Sequence, residues 1–354
     1  IASYGESLLD WLECYAFDQE KKFDDTDHSL KTANHFLDEL LRCGTTTAQV
    51  FGTVHPESVE GFFTAAERRD LRMICGKVLM DRNGPLGLLD TPETSYIDSK
   101  DLIERWHGRG RLRYAVSPRF APTSTPDQLA TACQLLREYP GTHLQTHLSE
   151  DKEEINWVKS LFPSCKNYLD VYKRAGLLGK RSTFAHCLHL TEADWGILED
   201  EGCSVAFCPS SNLFLGSGLF DLPRLQFANV KVGIGTDVGA GTSLSMLQTI
   251  ADAYKTQRLA GNDLSPLSGL YMATLGGAKS LDCDADIGNF KIGKEADFTV
   301  LDPESTPLMS YRMQNCKSLE ERLAVIVLLG DDRAILATYA NGHCVHDRDI
   351  DEES

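Results

Sequence analysis

Three apolar runs in this chain stop on a side chain able to hold a metal ion or a proton: His143-Leu-Gln-Thr-His147, Thr183-Phe-Ala-His186 and Val232-Gly-Ile-Gly-Thr-Asp237. Runs this short, rich in β-branched and apolar residues, read as strands buried on both faces, the kind found in parallel sheets. A parallel sheet gathers all its strand ends at one rim. Polar groups repeated at those ends are thereby brought together in space, however far apart they lie in sequence.

The intervening text supports a parallel sheet. Seven strand candidates, Thr45–Phe51, Arg72–Met80, Leu112–Ser117, His143–His147, Ser182–His186, Ser204–Phe207 and Val230–Thr236, are separated by helical patterns such as Asp151–Phe162, Thr191–Glu201 and Ser243–Leu259. Alternation of this kind builds βα units. The expected fold is α/β, a (β/α)8 TIM-like barrel, whose chemistry sits at the C-terminal strand ends and whose closure needs eight strands. The count therefore expects the first strand to be missing from this chain, with the Glu6–Tyr15 helix following it. Beyond Ser265, Pro266–Leu281 reads as a helix, and Gly288–Pro303 and Ala334–Val345 read as strands. The expected domains are a barrel over 1–282 and, over 283–354, the C-terminal part of a small, incomplete β-sandwich with closing helices and strands.

Composition narrows the function classes. A net charge of −17 argues against a nucleic-acid partner, because binding to a phosphate backbone relies on clustered Lys and Arg. The eleven cysteines are odd in number, scattered and set in apolar segments such as Val205-Ala-Phe-Cys208, which reads as reduced thiols in a cytoplasmic protein. No Cys-x-x-Cys occurs, which removes zinc-finger sites and the metal site of cytidine-deaminase-like enzymes. No membrane-length apolar run or signal peptide is present, so no membrane partner is expected.

The three strand-end segments, together with Cys43-Gly-Thr-Thr-Thr47, Val54-His-Pro56, Ser117-Pro-Arg-Phe-Ala-Pro-Thr123, His147-Leu-Ser-Glu150, Phe207-Cys-Pro-Ser-Ser-Asn-Leu213, Gly235-Thr-Asp237 and Gly288-Asn-Phe-Lys-Ile-Gly-Lys-Glu-Ala-Asp297, resemble the amidohydrolase superfamily and, within it, the guanine deaminases. The resemblance covers almost the whole chain. One departure is plain: the family's His-x-His pair on the first barrel strand is absent, and Ile1 aligns shortly after it. The resemblance implies zinc-dependent hydrolysis of guanine to xanthine and ammonia in purine catabolism, with one Zn2+ per chain and a homodimer; the Phe214–Leu222 loop, whose aromatics read as exposed, is expected to take part in it.

The site residues follow. His147 and Asp237 are the expected metal ligands, offering an imidazole nitrogen and a hard carboxylate oxygen, both acceptable to zinc. Asp237 also counts as catalytic, because it can take a proton from the attacking water. A zinc ion lowers the pKa of bound water from near 16 to about 7. Glu150, three residues beyond His147, is expected to protonate a purine ring nitrogen, although Ser149-Glu-Asp151 also reads as a helix-capping cluster. His186 is expected to orient the attacking hydroxide first and to bind metal second. The substrate is expected against Arg119, Phe120, His147, Glu150 and Asp237, with the Arg119 guanidinium on the O6 and N7 side of guanine and Phe120 on its ring. His55 and His189 read as structural or substrate-loop residues, and Gly239 and Gly241 as the means by which the loop after Asp237 turns past the metal.

Two other readings remain open at this level. The same metal residues would serve an aminohydrolase of a modified adenine, a pterin or a triazine. A non-catalytic scaffold would follow from a genuine loss of the His-x-His, whereas retention of His147, Glu150, His186, Asp237 and Arg119 together argues for an enzyme.

Overall fold

The structure is a computed structural model that describes residues 4, 7–224 and 229–351. Ile1 and the acidic tail after Asp351 lie outside the described residues. Seven parallel strands, β1 (Thr47–Phe51), β2 (Arg72–Gly76), β4 (Arg113–Pro118), β5 (His143–Leu148), β6 (Ser182–His186), β7 (Ser204–Phe207) and β8 (Lys231–Ile234), pair in chain order, and the short β3 (Val78–Leu79) prolongs the β2 line against β4. All seven expected strands are present. Among the described residues the curled sheet is open between β8 and β1, and a cavity of about 790 Å³ runs along that seam, reached by Gln49, Thr183, Gly233 and Asp237.

Helices cover the outer face because they present apolar stripes to it. Thr26–Arg42 begins at Asp25, whose carboxylate accepts the His28 N–H, and buries Ala33, Leu37, Leu40 and Leu41 at three- and four-residue spacing. Pro56–Arg68 packs on it with Val59, Phe62, Phe63 and Ala66. The inward face of the sheet is polar and cross-linked between strands: Gln145 donates to the Val50 carbonyl and to Ser117, while Gln49 accepts from Thr183. Buried amides need such partners, and meeting them across four strands fixes the strands' relative heights.

Beyond the barrel, β9 (Phe298–Leu301), β10 (Ile335–Ala340) and β11 (His343–Asp347) form a small antiparallel sheet in the order β11-β10-β9. Three sequence expectations change here. The strand expected over Gly288–Pro303 shrinks to β9, because Lys294 donates to the carbonyls of Asp284 and Ile287 and folds the preceding stretch into a loop. The helix expected over Pro266–Leu281 is broken at Thr274, whose φ of −126° and ψ of −103° are not helical. At the other end, the first helix turns through a wider π turn at Leu12–Ala16 and continues to Glu20.

The far end of the barrel is tied to this C-terminal region by ions. Arg72 and Arg111, 4% and 8% exposed, both bond Glu295, and Arg111 also bonds Asp297 at 2.8 Å. Burial alone would raise the Glu295 pKa, but hydrogen bonds from Arg72 and Arg111 hold it below the ordinary carboxylate value. Glu295→Ala leaves two buried guanidinium groups short of a partner and should cost about 3 kcal/mol in chemical denaturation at neutral pH. A group with a lowered folded-state pKa stabilises above its unfolded value and loses that contribution as the pH falls. The difference between wild type and Glu295→Ala should therefore persist down to about pH 4.3 and shrink below it.

Candidate active site at the strand ends

The β5–β6 register decides the site. Leu144 pairs with Ser182 and Leu148 with His186, so His147 and His186 leave the same rim from adjacent strands. Their rings stack with centroids 5.5 Å apart and planes 16° apart. Asp237 comes from three residues past β8, carried by a turn in which its own φ is +51°. At Gly241 a Cβ would lie 1.7 Å from the Thr236 carbonyl oxygen, so only glycine lets this loop close. One ligand atom each from His147, His186 and Asp237 falls within 4.8 Å of the others.

Each imidazole is oriented from behind. His147 Nδ1 lies 2.7 Å from the Arg119 carbonyl, which can only accept, so Nδ1 carries the hydrogen and Nε2 keeps its lone pair. His186 Nδ1 donates to the Asn212 side-chain oxygen at 2.9 Å. Its Nε2 is buried and makes no hydrogen bond; it stands 3.3 Å from Glu150 Oε2 and 3.9 Å from Asp237 Oδ2 without hydrogen-bond geometry. A buried, unpartnered nitrogen facing a second imidazole and a carboxylate is a donor set that suits zinc. His147, His186 and Asp237 fit such an ion, and His186 belongs to the candidate ligand set as fully as the other two.

Glu150 stands beside this cluster and is only 1% exposed. Its backbone N–H donates to Glu154 Oε2 at 2.9 Å, and Glu154 in turn accepts the Tyr168 hydroxyl at 2.7 Å. Burial, reinforced by the carboxylates of Asp237 and Glu154, raises the Glu150 pKa to about 7 against the pull of His186. Burial and the neighbouring His186 lower His147 to about 4, leaving it neutral and able to ligate. At His186, burial opposes the cation, but Glu150 and Asp237 overcome it and hold the pKa above its ordinary value. A carboxyl near neutrality beside a metal-competent pocket can hold a proton and release it.

The helix after Glu150 is capped by Asp151, whose carboxylate accepts from Glu153 and Glu154. Glu150 is thereby free of that task. Ser149 is not the cap; it takes a left-handed φ of +51°.

Arg119 is divided between two jobs. Its carbonyl backs His147, while its guanidinium is gripped by Glu20 at 2.7 and 2.9 Å and lies over the Phe17 ring at 5.3 Å. Phe120 is buried, with its ring centroid 6.5 Å from that of His147. His55 is outside the metal-competent group and opens the Pro56–Arg68 helix, and His189 bonds the Ser217 carbonyl. The Phe214–Leu222 loop does not offer aromatics to a partner as expected: Phe220 is 1% exposed, stacked on Phe207, and Phe214 is half-buried.

Sequence reasoning missed Glu154, Asn212, Ser217 and Glu20. The Asp151-x-x-Glu154 capping-box spacing was a usable signal for the first. The run of small polar residues directly after β7 was one for the second.

A profile described as the amidohydrolase family matches residues 2–345. The guanine deaminase of Escherichia coli K12 is 54% identical over 348 residues, 98% of this chain and 79% of that protein. A solved structure of E. coli guanine deaminase superposes with a TM-score of 0.97, covering 98% of this chain and 81% of that one. A guanine deaminase from C. acetobutylicum, solved with guanine bound in its active site, is 29% identical with a TM-score of 0.89, covering 96% of this chain and 81% of that one.

Removing the hydrogen bond behind a ligating imidazole typically weakens metal binding about 10–100-fold. Asn212→Ala should show that loss for Zn2+ in a chelator competition, and Asn212→Asp, which still accepts from Nδ1, should recover most of it.

Proposed function

The chain belongs to the amidohydrolase family, and on that premise we infer that it catalyses hydrolytic deamination of guanine to xanthine and ammonia. The observation that carries this reading is the buried Glu150 carboxyl held 3.3 Å from His186, at the edge of the His147–His186–Asp237 cluster. Similarity to guanine deaminases along nearly the whole chain favours guanine over a modified adenine, a pterin or a triazine. A scaffold has no use for a proton-holding carboxyl beside a metal-competent pocket.

His147, His186 and Asp237 would hold the metal, which we assign as zinc, one ion per chain. Such an ion supplies Lewis acidity and makes water ionisable near neutrality. The protein's own groups do the rest. Glu150 presents a proton to the ring nitrogen next to the amino-bearing carbon, relieving the negative charge that builds there as water adds. Asp237 takes a proton from that water. Asp237 then returns that proton to the amino group, which leaves as ammonia, while the added hydroxyl gives its proton back to Glu150 as the carbonyl of xanthine forms. General acid–base help of this kind is worth about 10²–10⁴-fold.

Substrate binding is assigned to Arg119, Phe120, His147, Glu150 and Asp237. Glu20 already occupies both terminal nitrogens of Arg119, so the guanidinium is a rigid donor before any base arrives. The purine takes the N–H groups that Glu20 leaves, beside the Phe120 ring. Eleven free thiols support a reducing, cytoplasmic setting, and among the described residues no helix is long and apolar enough to cross a membrane. The homodimer rests on family resemblance.

Glu150→Gln keeps the shape of the side chain and removes the transferable proton. In the zinc-loaded enzyme, kcat for guanine should fall by at least about 10²-fold with metal content near one ion per chain. Loss of the metal would instead make Glu150 a ligand. Arg119→Ala should lower kcat/KM for guanine about ten- to a hundred-fold, corresponding to about 1.5–3 kcal/mol of charge-assisted hydrogen bonding, and leave zinc in place.

A further inference from the structure

The Glu150 carboxyl has two oxygens, and only one can face the reacting atoms. Oε2 stands on the side of His186, at 3.3 Å from Nε2. Oε1 accepts a hydrogen bond from the Ser217 hydroxyl at 3.2 Å. Both residues are buried, so no solvent competes for that oxygen. Ser217 comes from a different part of the barrel, the segment that leaves β7, and is itself held firmly. Its N–H donates to the Asn212 carbonyl at 2.9 Å, and its carbonyl accepts from His189 Nε2 at 3.1 Å. It sits between Gly216 at φ +67° and Gly218 at φ +140°, a pair of turns that lets one residue be pressed inward from a short loop.

We propose that Ser217 is a positioning residue for the proposed reaction: its hydroxyl holds Glu150 Oε1 and so keeps Oε2 turned toward the bound purine. The argument is one of torsion. The terminal torsion of a glutamate has broad, roughly two-fold preferences, so without a fixed donor the buried carboxyl would rotate between orientations. Glu154 cannot do this work, because it grips the backbone N–H of Glu150 and leaves the carboxyl free to turn. Ser217 grips the carboxyl itself. The segment that carries Asn212 behind His186 thus also carries the hydroxyl that orients Glu150, and His189, expected from sequence to be structural, supports it from the far side.

This inference rests on the reading of Glu150 as the proton carrier, and the test separates the two. In the zinc-loaded enzyme, Ser217→Ala should lower kcat for guanine about ten-fold, the worth of one hydrogen bond to an ionisable group, with KM changed less than about two-fold. Ser217→Thr, which keeps the hydroxyl, should recover most of the loss. Ser217→Cys keeps the size with a weak donor and should resemble Ser217→Ala, which guards against a packing defect in the alanine variant. In a Glu150→Gln background Ser217→Ala should add no further loss, since there is no longer a carboxyl to orient; a purely structural role would add its full cost again. Activity retained in Glu150→Gln would overturn the reading of Glu150 and this inference with it. An inactive Glu150→Gln beside a Ser217→Ala with unchanged kcat, or with a raised KM alone, would overturn the role of Ser217 and leave Glu150 standing.

Discussion

Everything at the rim hangs on the pairing of β5 with β6. Five matched residue pairs, from Leu144–Ser182 to Leu148–His186, set two imidazoles diagonally across one inter-strand gap. Because side chains alternate faces along a strand, a slip of one residue in β5 would send His147 outward among the covering helices, whereas His186, which follows the inward Ala185, is turned into the pocket by its own φ of +69°. The register is protected from both sides. Phe184 and Leu144 are fully buried on the outer face, and on the inner one Gln145 donates to the Val50 carbonyl and Ser117 while Thr183 donates to Gln49. Packing and polar satisfaction demand the same alignment, and the chemistry inherits it.

Just past the ordered ladder the backbone is forced into conformations that most residues avoid. Ser149, His186, Cys187 and Asp237 all have positive φ, and all lie at or within a few residues of the cluster. Left-handed backbone at non-glycine residues costs of order 1 kcal/mol each and survives where the surroundings over-determine it. Here the surroundings are a sheet that cannot shift and side chains bonded from behind by the Arg119 carbonyl and Asn212.

The sequence was legible where periodicity speaks. All seven parallel strands were visible as apolar runs, and His147, Glu150, His186 and Asp237 stood out because they interrupt or follow those runs. The C-terminal region was less readable. The helices Pro307–Met313 and Leu319–Leu329 went unassigned, though Ser318 and Glu321 form a capping box that marks the start of the second. What sequence could not show were the groups that act on other groups. Asn212, Ser217 and Glu20 meet their partners across separations of 26, 67 and 99 residues, and their identity as small or acidic polar residues is common on any surface. Only the closed fold distinguishes an asparagine behind an imidazole from one in a turn. Arg119 shows the converse: resemblance marked it for substrate, and the structure adds that Glu20 and Phe17 hold its guanidinium in one plane.

Arg119 also joins two halves of the pocket within a single residue. Its carbonyl oxygen carries the His147 ring, and its side chain is clamped to the N-terminal helical segment through Glu20. The hold on one imidazole of the cluster thus reaches back, through this single residue, to the helical segment at the start of the chain.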